Sequence, residues 1–261
     1  MAATVRAVFV GINYTNVQEC QDLQGIPSVY AKSMMKTLIM PNIALYQSNE
    51  CLFFSDKDDI ELPAGVTCGK PTRKNVLKAL TEMALNARKG DILLFYFCGH
   101  GANDIHNHRG ALKTLDDDLS RRDVIYSDKL EECFESLDPS VSVTFIIHAC
   151  FSGAMFSYNP KGMRGIALAS VGPTIPSIVR KEPDTTDFTT YIRDNVIKKL
   201  PIGNRTDDSW PTYQQVYDGA KKIIVQGEMP DSKKTPFKGH AEMYHTSRMD
   251  PTKVKFLQGF V

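Results

Sequence analysis

Two short stretches hold residue types suited to nucleophilic chemistry. "HACFSG" (148–153) sets Cys150 after the apolar run "VSVTFII", and "CGHG" (98–101) sets His100 after "DILLFYF". A cysteine nucleophile needs a thiolate, a base to form or hold it, and donors for the oxyanion that develops on attack. Histidine can be that base. Gly99 and Gly101 on either side are expected to leave its ring accessible and to let a nearby amide point at the oxyanion. Gly153 and the small residues around Cys150 are expected to admit a substrate closely. Each residue alone also has a plainer reading. A strand-end cysteine is more often a small buried hydrophobe, and an isolated histidine more often a satisfied structural one.

The surrounding sequence alternates strand and helix signals. "VRAVFVGI" (5–12), "ECLFFSD" (50–56), "DILLFYFCGHG" (91–101) and "VSVTFIIHAC" (141–150) are β-rich apolar runs. "PSVYAKSMMKTLIM", from Pro27, has near-helical apolar spacing. In "PTRKNVLKALTEMALNARKG", Thr72 can cap a helix whose stripe is Val76, Leu77, Leu80, Met83 and Ala84, with Lys89-Gly90 closing it. "SDKLEECFESL" predicts another helix, capped by Ser127. This alternation predicts an α/β fold with a central, mostly parallel sheet flanked by helices on both faces. Ligand sites in such sheets lie at the carboxyl ends of the strands, so His100 and Cys150 are expected on one edge.

Further along, "GIALAS" (165–170) reads as a strand and "GPTIPSIVRKEPDTTD" as an exposed loop. "FTTYIRDNVIKKL" and "TYQQVYDGAKKIIVQG" read as helices. The expected organisation is one domain, with a large portion over about residues 1–157 and a small one over about 163–261. "SYNPKGMRG" and the stretch near Arg180-Lys181 read as exposed and basic, and are candidate processing sites only for a peptidase that cuts after basic residues.

A chain of 261 residues that is 42% apolar and 23% charged can bury a core, which excludes the disordered class. The net charge of +1 provides no field to recruit nucleic acid or an anionic membrane. No apolar run approaches the roughly 18 residues of a membrane span, and the N-terminus lacks a signal-peptide pattern. The six cysteines are scattered without a C-x-x-C pair, so free thiols are expected. The expectation is a cytoplasmic, monomeric protein with neither nucleic-acid nor membrane partners.

"RAVFVGINY", "PTRKNVLKAL", "KGDILLFYFCGHG" and "HACFSGAM", in that order, resemble successive motifs of the metacaspases, the caspase-like cysteine peptidases of plants, fungi, protists and bacteria. "GHAEMYHT" near the C-terminus is similar as well. The histidine stretch resembles the family's S-G-H-G and the cysteine stretch its D-x-C-x-S-G. A separation of about 50 residues between histidine and cysteine is itself a caspase feature, so it belongs to the resemblance. The resemblance implies a caspase-like fold, and with the first strand starting at about residue 5 a catalytic domain without an N-terminal pro-domain is expected. It also implies protein or peptide substrates. By position, His100 would be the general acid and base and Cys150 the nucleophile, and the amides of Gly101 and Cys150 would form the oxyanion hole.

The chain departs from the family where specificity is set. Metacaspases cut after arginine or lysine, using two aspartates in the primary pocket. His148 stands at one of those positions, and the alignment of "QGIPSVYAKSM" puts Ile26 and Val29 at the family's cysteine and other aspartate. A guanidinium buried without a carboxylate loses several kcal/mol, so an altered P1 preference, uncharged or acidic, is expected. The residues themselves require no cofactor. The resemblance brings calcium into view, with a weakened ligand set at Asp116, Asp117, Asp118 and Asp128.

Overall fold

The computed structural model describes residues 5–18, 20–39, 51–107, 109–156, 165–177, 187–200, 210–228, 236–246 and 249–257. Both candidate processing stretches fall largely or wholly outside these residues. Along the chain run β1 (Val5–Gly11), α1 (Ile26–Ile39), β2 (Cys51–Ser55), β3 (Thr67–Gly69), α2 (Arg73–Leu85) and β4 (Ile92–Cys98). Then come β5 (Gly101–Asp104), β6 (Arg109–Leu115), β7 (Arg122–Tyr126), α3 (Ser127–Glu132), β8 (Ser142–His148) and β9 (Gly165–Ala169). The last elements are α4 (Phe188–Tyr191), α5 (Tyr213–Ala220), β10 (Ile224–Glu228), β11 (Pro236–His240) and β12 (Glu242–His245). Among the described residues no helix is long and apolar enough to cross a membrane.

The continuous apolar runs are strands covered on both sides. Every residue of β4 and β8 is buried. Alternate side chains feed two cores: Ile92, Leu94, Tyr96 and Cys98 pack with α1 and the C-terminal helices, while Leu93, Phe95 and Phe97 pack with α2 and α3. The main sheet has seven strands in the order β12-β9-β8-β4-β1-β2-β3, all parallel except β12, which runs antiparallel to β9. This is the expected α/β architecture, and strands from the C-terminal portion complete the same sheet as those from the N-terminal one.

Three local readings need correction. The segment between β4 and α3 is a separate antiparallel sheet, β5-β6-β7, whose mixed polar strands lack a clear apolar alternation. "TYQQVYDGAKKIIVQG" is a helix only to Ala220; the β-branched Ile224 and Val225 then pair with β11 as a hairpin. Ser127 is the first residue of α3 rather than its cap, because β7 runs directly into the helix through Tyr126.

The Thr72 cap is as expected: its Oγ accepts from the Asn75 N–H at 3.2 Å, and α2 begins at Arg73. Thr72→Ala leaves that N–H without its partner. We expect a loss of about 1 kcal/mol of stability, measured by chemical denaturation.

Candidate active site

β4 and β8 lie side by side with Cys98 opposite His148. The pairing continues one step further, where the Gly99 N–H donates to the His148 carbonyl at 3.2 Å. His100 and Cys150 therefore leave the sheet from equivalent points, each two residues past a paired strand end. Gly101 closes the approach: a Cβ built on it would lie 2.1 Å from the Cys150 carbonyl oxygen. A Cβ on Gly99 would lie 2.8 Å from the Tyr14 hydroxyl. Neither glycine has a positive φ. Both leave room for close neighbours. Gly153 is similar. A Cβ there would meet the Tyr244 hydroxyl and the backbone of Pro173, so its smallness admits neighbouring chain rather than substrate.

The His100 ring is oriented by two groups unread in the sequence. Its Nε2 lies 2.8 Å from the Gln21 carbonyl oxygen, and the Tyr14 ring packs beside it with centroids 4.6 Å apart. A carbonyl only accepts, so Nε2 carries the proton and Nδ1 is the free acceptor of the neutral ring. Burial lowers the His100 pKa, the Gln21 bond opposes this, and the Lys113 charge adds to it.

Cys150 is half-buried, and its Sγ is 3.4 Å from the Ser177 carbonyl oxygen. Phe151 follows in the left-handed region at φ 54°, turning the chain into a short helical turn over Ser152–Met155. Residues 172–177, expected as exposed loop, lie along this turn. The Phe151 N–H donates to the Ile175 carbonyl at 2.8 Å, and Asn103 Nδ2 donates to the Pro173 carbonyl at 2.8 Å. Burial raises the Cys150 pKa, while a backbone hydrogen bond at Ser177 and the Lys113 charge oppose the rise.

Both shifts favour a neutral thiol and a neutral imidazole over a thiolate–imidazolium pair. Alkylation of Cys150 by iodoacetamide should therefore accelerate up to and beyond the ordinary cysteine range of about 8.5. Peptide-resolved mass spectrometry between pH 5 and 10 checks this; a rate already at its plateau in mild acid would contradict it.

His148 is 1% exposed and lies beneath the site. Its Nδ1 is 2.8 Å from the Thr189 Oγ, its Nε2 is 3.8 Å from an Asp187 carboxylate oxygen, and Tyr30 stacks on its ring at 5.9 Å. Asp187 is itself buried and caps α4 through the Thr190 N–H. Burial pushes the Tyr30 hydroxyl pKa well up, with the Asp187 charge adding to it. The α1 residue stacked on His148 is thus Tyr30. Its neighbour Val29 is 55% exposed, and Ile26 packs partly buried against the core. Asp187 sat unread within a supposed loop, although Asp followed by "FTTY" is a helix-start signal.

The four acidic residues considered for calcium do not converge. Asp116 accepts from the Ser120 and Arg121 N–H groups of its own turn, at 3.0 and 3.2 Å. Asp117 and Asp118 are exposed, and Asp128 faces Arg109 at 3.6 Å. Among the described residues no three His, Cys, Asp or Glu side chains form a metal-binding group. The carboxylates as arranged do not fit a calcium cage.

Comparison with known proteins bears on the same residues. Residues 5–159 match the family described as metacaspase, peptidase C14 domain. The chain is 28% identical over 164 residues to metacaspase-2 of Trypanosoma brucei brucei, covering 58% of this chain and 42% of that protein. It is 26% identical over 156 residues to metacaspase-2 of Arabidopsis thaliana, covering 58% and 35%. It is 27% identical over 163 residues to a Trypanosoma brucei brucei protein named inactive metacaspase-4, covering 58% and 41%. The chain thus spans less than half the length of these curated relatives. Among solved structures, protein GSU0716 of Geobacter sulfurreducens shares the fold, with a TM-score of 0.52, 14% identity and 97% coverage of both chains. The family match includes both strand ends that carry His100 and Cys150, and the chain belongs to the metacaspase family, peptidase C14 domain.

Proposed function

We propose that the protein is a cysteine endopeptidase that hydrolyses peptide bonds through a thioester acyl-enzyme, with Cys150 as nucleophile and His100 as general acid and base. The observation that supports this best is the equal height of the two residues above adjacent paired strand ends. Nδ1 of His100 takes the thiol proton as Sγ attacks the scissile carbonyl carbon, and returns it to the departing amine. Water then attacks the thioester, and the same nitrogen accepts its proton. The amides of Gly101 and Cys150, held close by the Gly101 contact, would receive the oxyanion in both steps. This sequence routes no step through a metal.

The P1 preference in this reading departs from arginine and lysine. Beneath Cys150 the space is filled by His148, Tyr30 and Asp187, each less than 5% exposed. A long basic side chain entering there would have to displace an imidazole already bonded to Thr189. Uncharged side chains suit the site better, and an acidic one would have to meet His148 despite the Asp187 carboxylate beside it. Ile26 and Val29 would bear on the mouth of this region rather than its floor.

One observation favours a second reading, a caspase-like regulator that acts by binding. The Cys150 thiol is bonded to the Ser177 carbonyl, and residues 172–177 line the nucleophile turn. A positional-scanning peptide library, run with and without calcium, separates the two when paired with a thiol-directed peptidyl electrophile. Turnover with an uncharged or acidic P1, and labelling at Cys150, are expected. Turnover of arginine and lysine substrates alone would overturn the P1 reading, and no turnover with no labelling would leave the regulator.

A further inference from the structure

His100 is held from below by an element far away in sequence. After β1 the chain turns at "INYT", and Tyr14 adopts φ 61°, a left-handed conformation uncommon for so bulky a residue. The Asp56 carboxylate just past β2 shows how the turn is held. Its oxygens accept from the backbone N–H groups of Asn13 at 2.8 Å, Tyr14 at 2.6 Å and Thr15 at 3.3 Å, and from the Asn13 side-chain amide at 3.0 Å. The turn sends the Tyr14 ring into the interior, where it is fully buried. Its hydroxyl accepts from the His100 N–H at 2.9 Å and donates to the Lys113 carbonyl at 2.6 Å. The Lys113 N–H donates in turn to the His100 carbonyl at 3.0 Å. Both backbone groups of the histidine are thus tied, and the aromatic ring backs one side of its imidazole.

We propose that Tyr14 is the positioning residue of His100: its hydroxyl, anchored through the Asp56-bound turn, fixes where the imidazole sits above β4 and how it faces the end of β8. The inference rests on the reading of His100 as the general base. It accounts for Gly99, because only a residue without a Cβ leaves room for the phenolic oxygen beneath the histidine. It also accounts for a buried Tyr whose strained backbone four carboxylate bonds hold in place. Burial raises the Tyr14 pKa well above its ordinary range, the bond from the His100 N–H opposes this, and Cys20, Asp56 and Cys98 add to the rise, so the hydroxyl remains a donor at any working pH.

The test is Tyr14→Phe, which removes one oxygen and keeps the ring. Two quantities are read: kcat and KM on a peptide substrate, and the titration of the His100 ring by NMR, assigned with His100→Gln. We expect kcat to fall about 10- to 100-fold with KM little changed, because the base is misplaced while substrate contacts remain. We expect the His100 midpoint to rise toward the ordinary histidine value of about 6.5 as water reaches the loosened ring. The charged or titratable groups around it that set the comparison are Lys113 on β6, Cys150 beyond β8, and Asp56 behind Tyr14. A midpoint that stays in place overturns the proposal, and a fall in kcat without that shift marks general loss of packing and overturns it too. If the wild-type protein turns over no peptide, the peptidase reading fails alone, and the NMR titration still decides the role of Tyr14. If Tyr14→Phe lacks a native spectrum, Asp56→Asn decides instead: the same upward shift, smaller in size, is expected, and an unmoved midpoint overturns the proposal.

Discussion

Cys150→Ala abolishes peptide hydrolysis on this reading, lowering kcat/KM by about 10,000-fold or more, and His100→Ala does nearly the same. Removing either member leaves the other without a partner, so the losses do not add, and the double variant should be no worse than the poorer single one. The fold should survive. The thiol donates to the Ser177 carbonyl, and the residue is half-buried rather than packed in either core. Thermal unfolding of Cys150→Ala is therefore expected within a few degrees of wild type. Turnover retained in Cys150→Ala would move the nucleophile elsewhere, and a large drop in melting temperature would mean the thiol is structural.

Gly101→Ala should also lower activity, by a smaller factor, without touching a reactive atom. The added methyl would lie 2.1 Å from the Cys150 carbonyl oxygen and 3.2 Å from the Ala149 Cβ. The closer obstacle is backbone, so relief requires the ends of β4 and β8 to part. Overpacking of this kind costs about 1–3 kcal/mol, and a displacement of about 1 Å between reacting groups costs on the order of 100-fold in rate. We expect kcat/KM to fall about 100-fold together with a lower melting temperature, in contrast to Cys150→Ala. Steady-state kinetics and calorimetry on the same samples check the pair of effects. Wild-type behaviour of Gly101→Ala would mean that the two strand ends are not held in register.

The central sheet was legible because its strands are sealed on both faces, and such strands must be apolar at nearly every position; β4 and β8 are the clearest cases. The same logic located His100 and Cys150, since chemistry-bearing residues stood where those strands stop. The β5-β6-β7 sheet was not legible, because short strands with mixed faces, such as "GAND" and "RDVIY", carry no period strong enough to distinguish them from loop. The supporting residues were hidden for another reason. Gln21 acts through a backbone carbonyl, which any residue type supplies. Tyr14 and Asp187 stand 86 and 39 positions from the histidines they touch, and no local pattern announces such partners. For the glycines around His100, local sequence shows that a Cβ is missing without showing what occupies the vacated space.

The position of β9 bears on what a cut would do to the molecule. It lies between β8 and β12, with Val143–Ile147 paired along one side and Glu242–His245 along the other. The chain reaches it across residues 157–164 and leaves toward α4 across 178–186. Scission in either stretch would split the polypeptide but not the particle, because the ladders on both sides of β9 remain whole. Two bands on a denaturing gel would then coexist with one unchanged elution volume, and nicking would have to be scored by fragment mass rather than by size in solution.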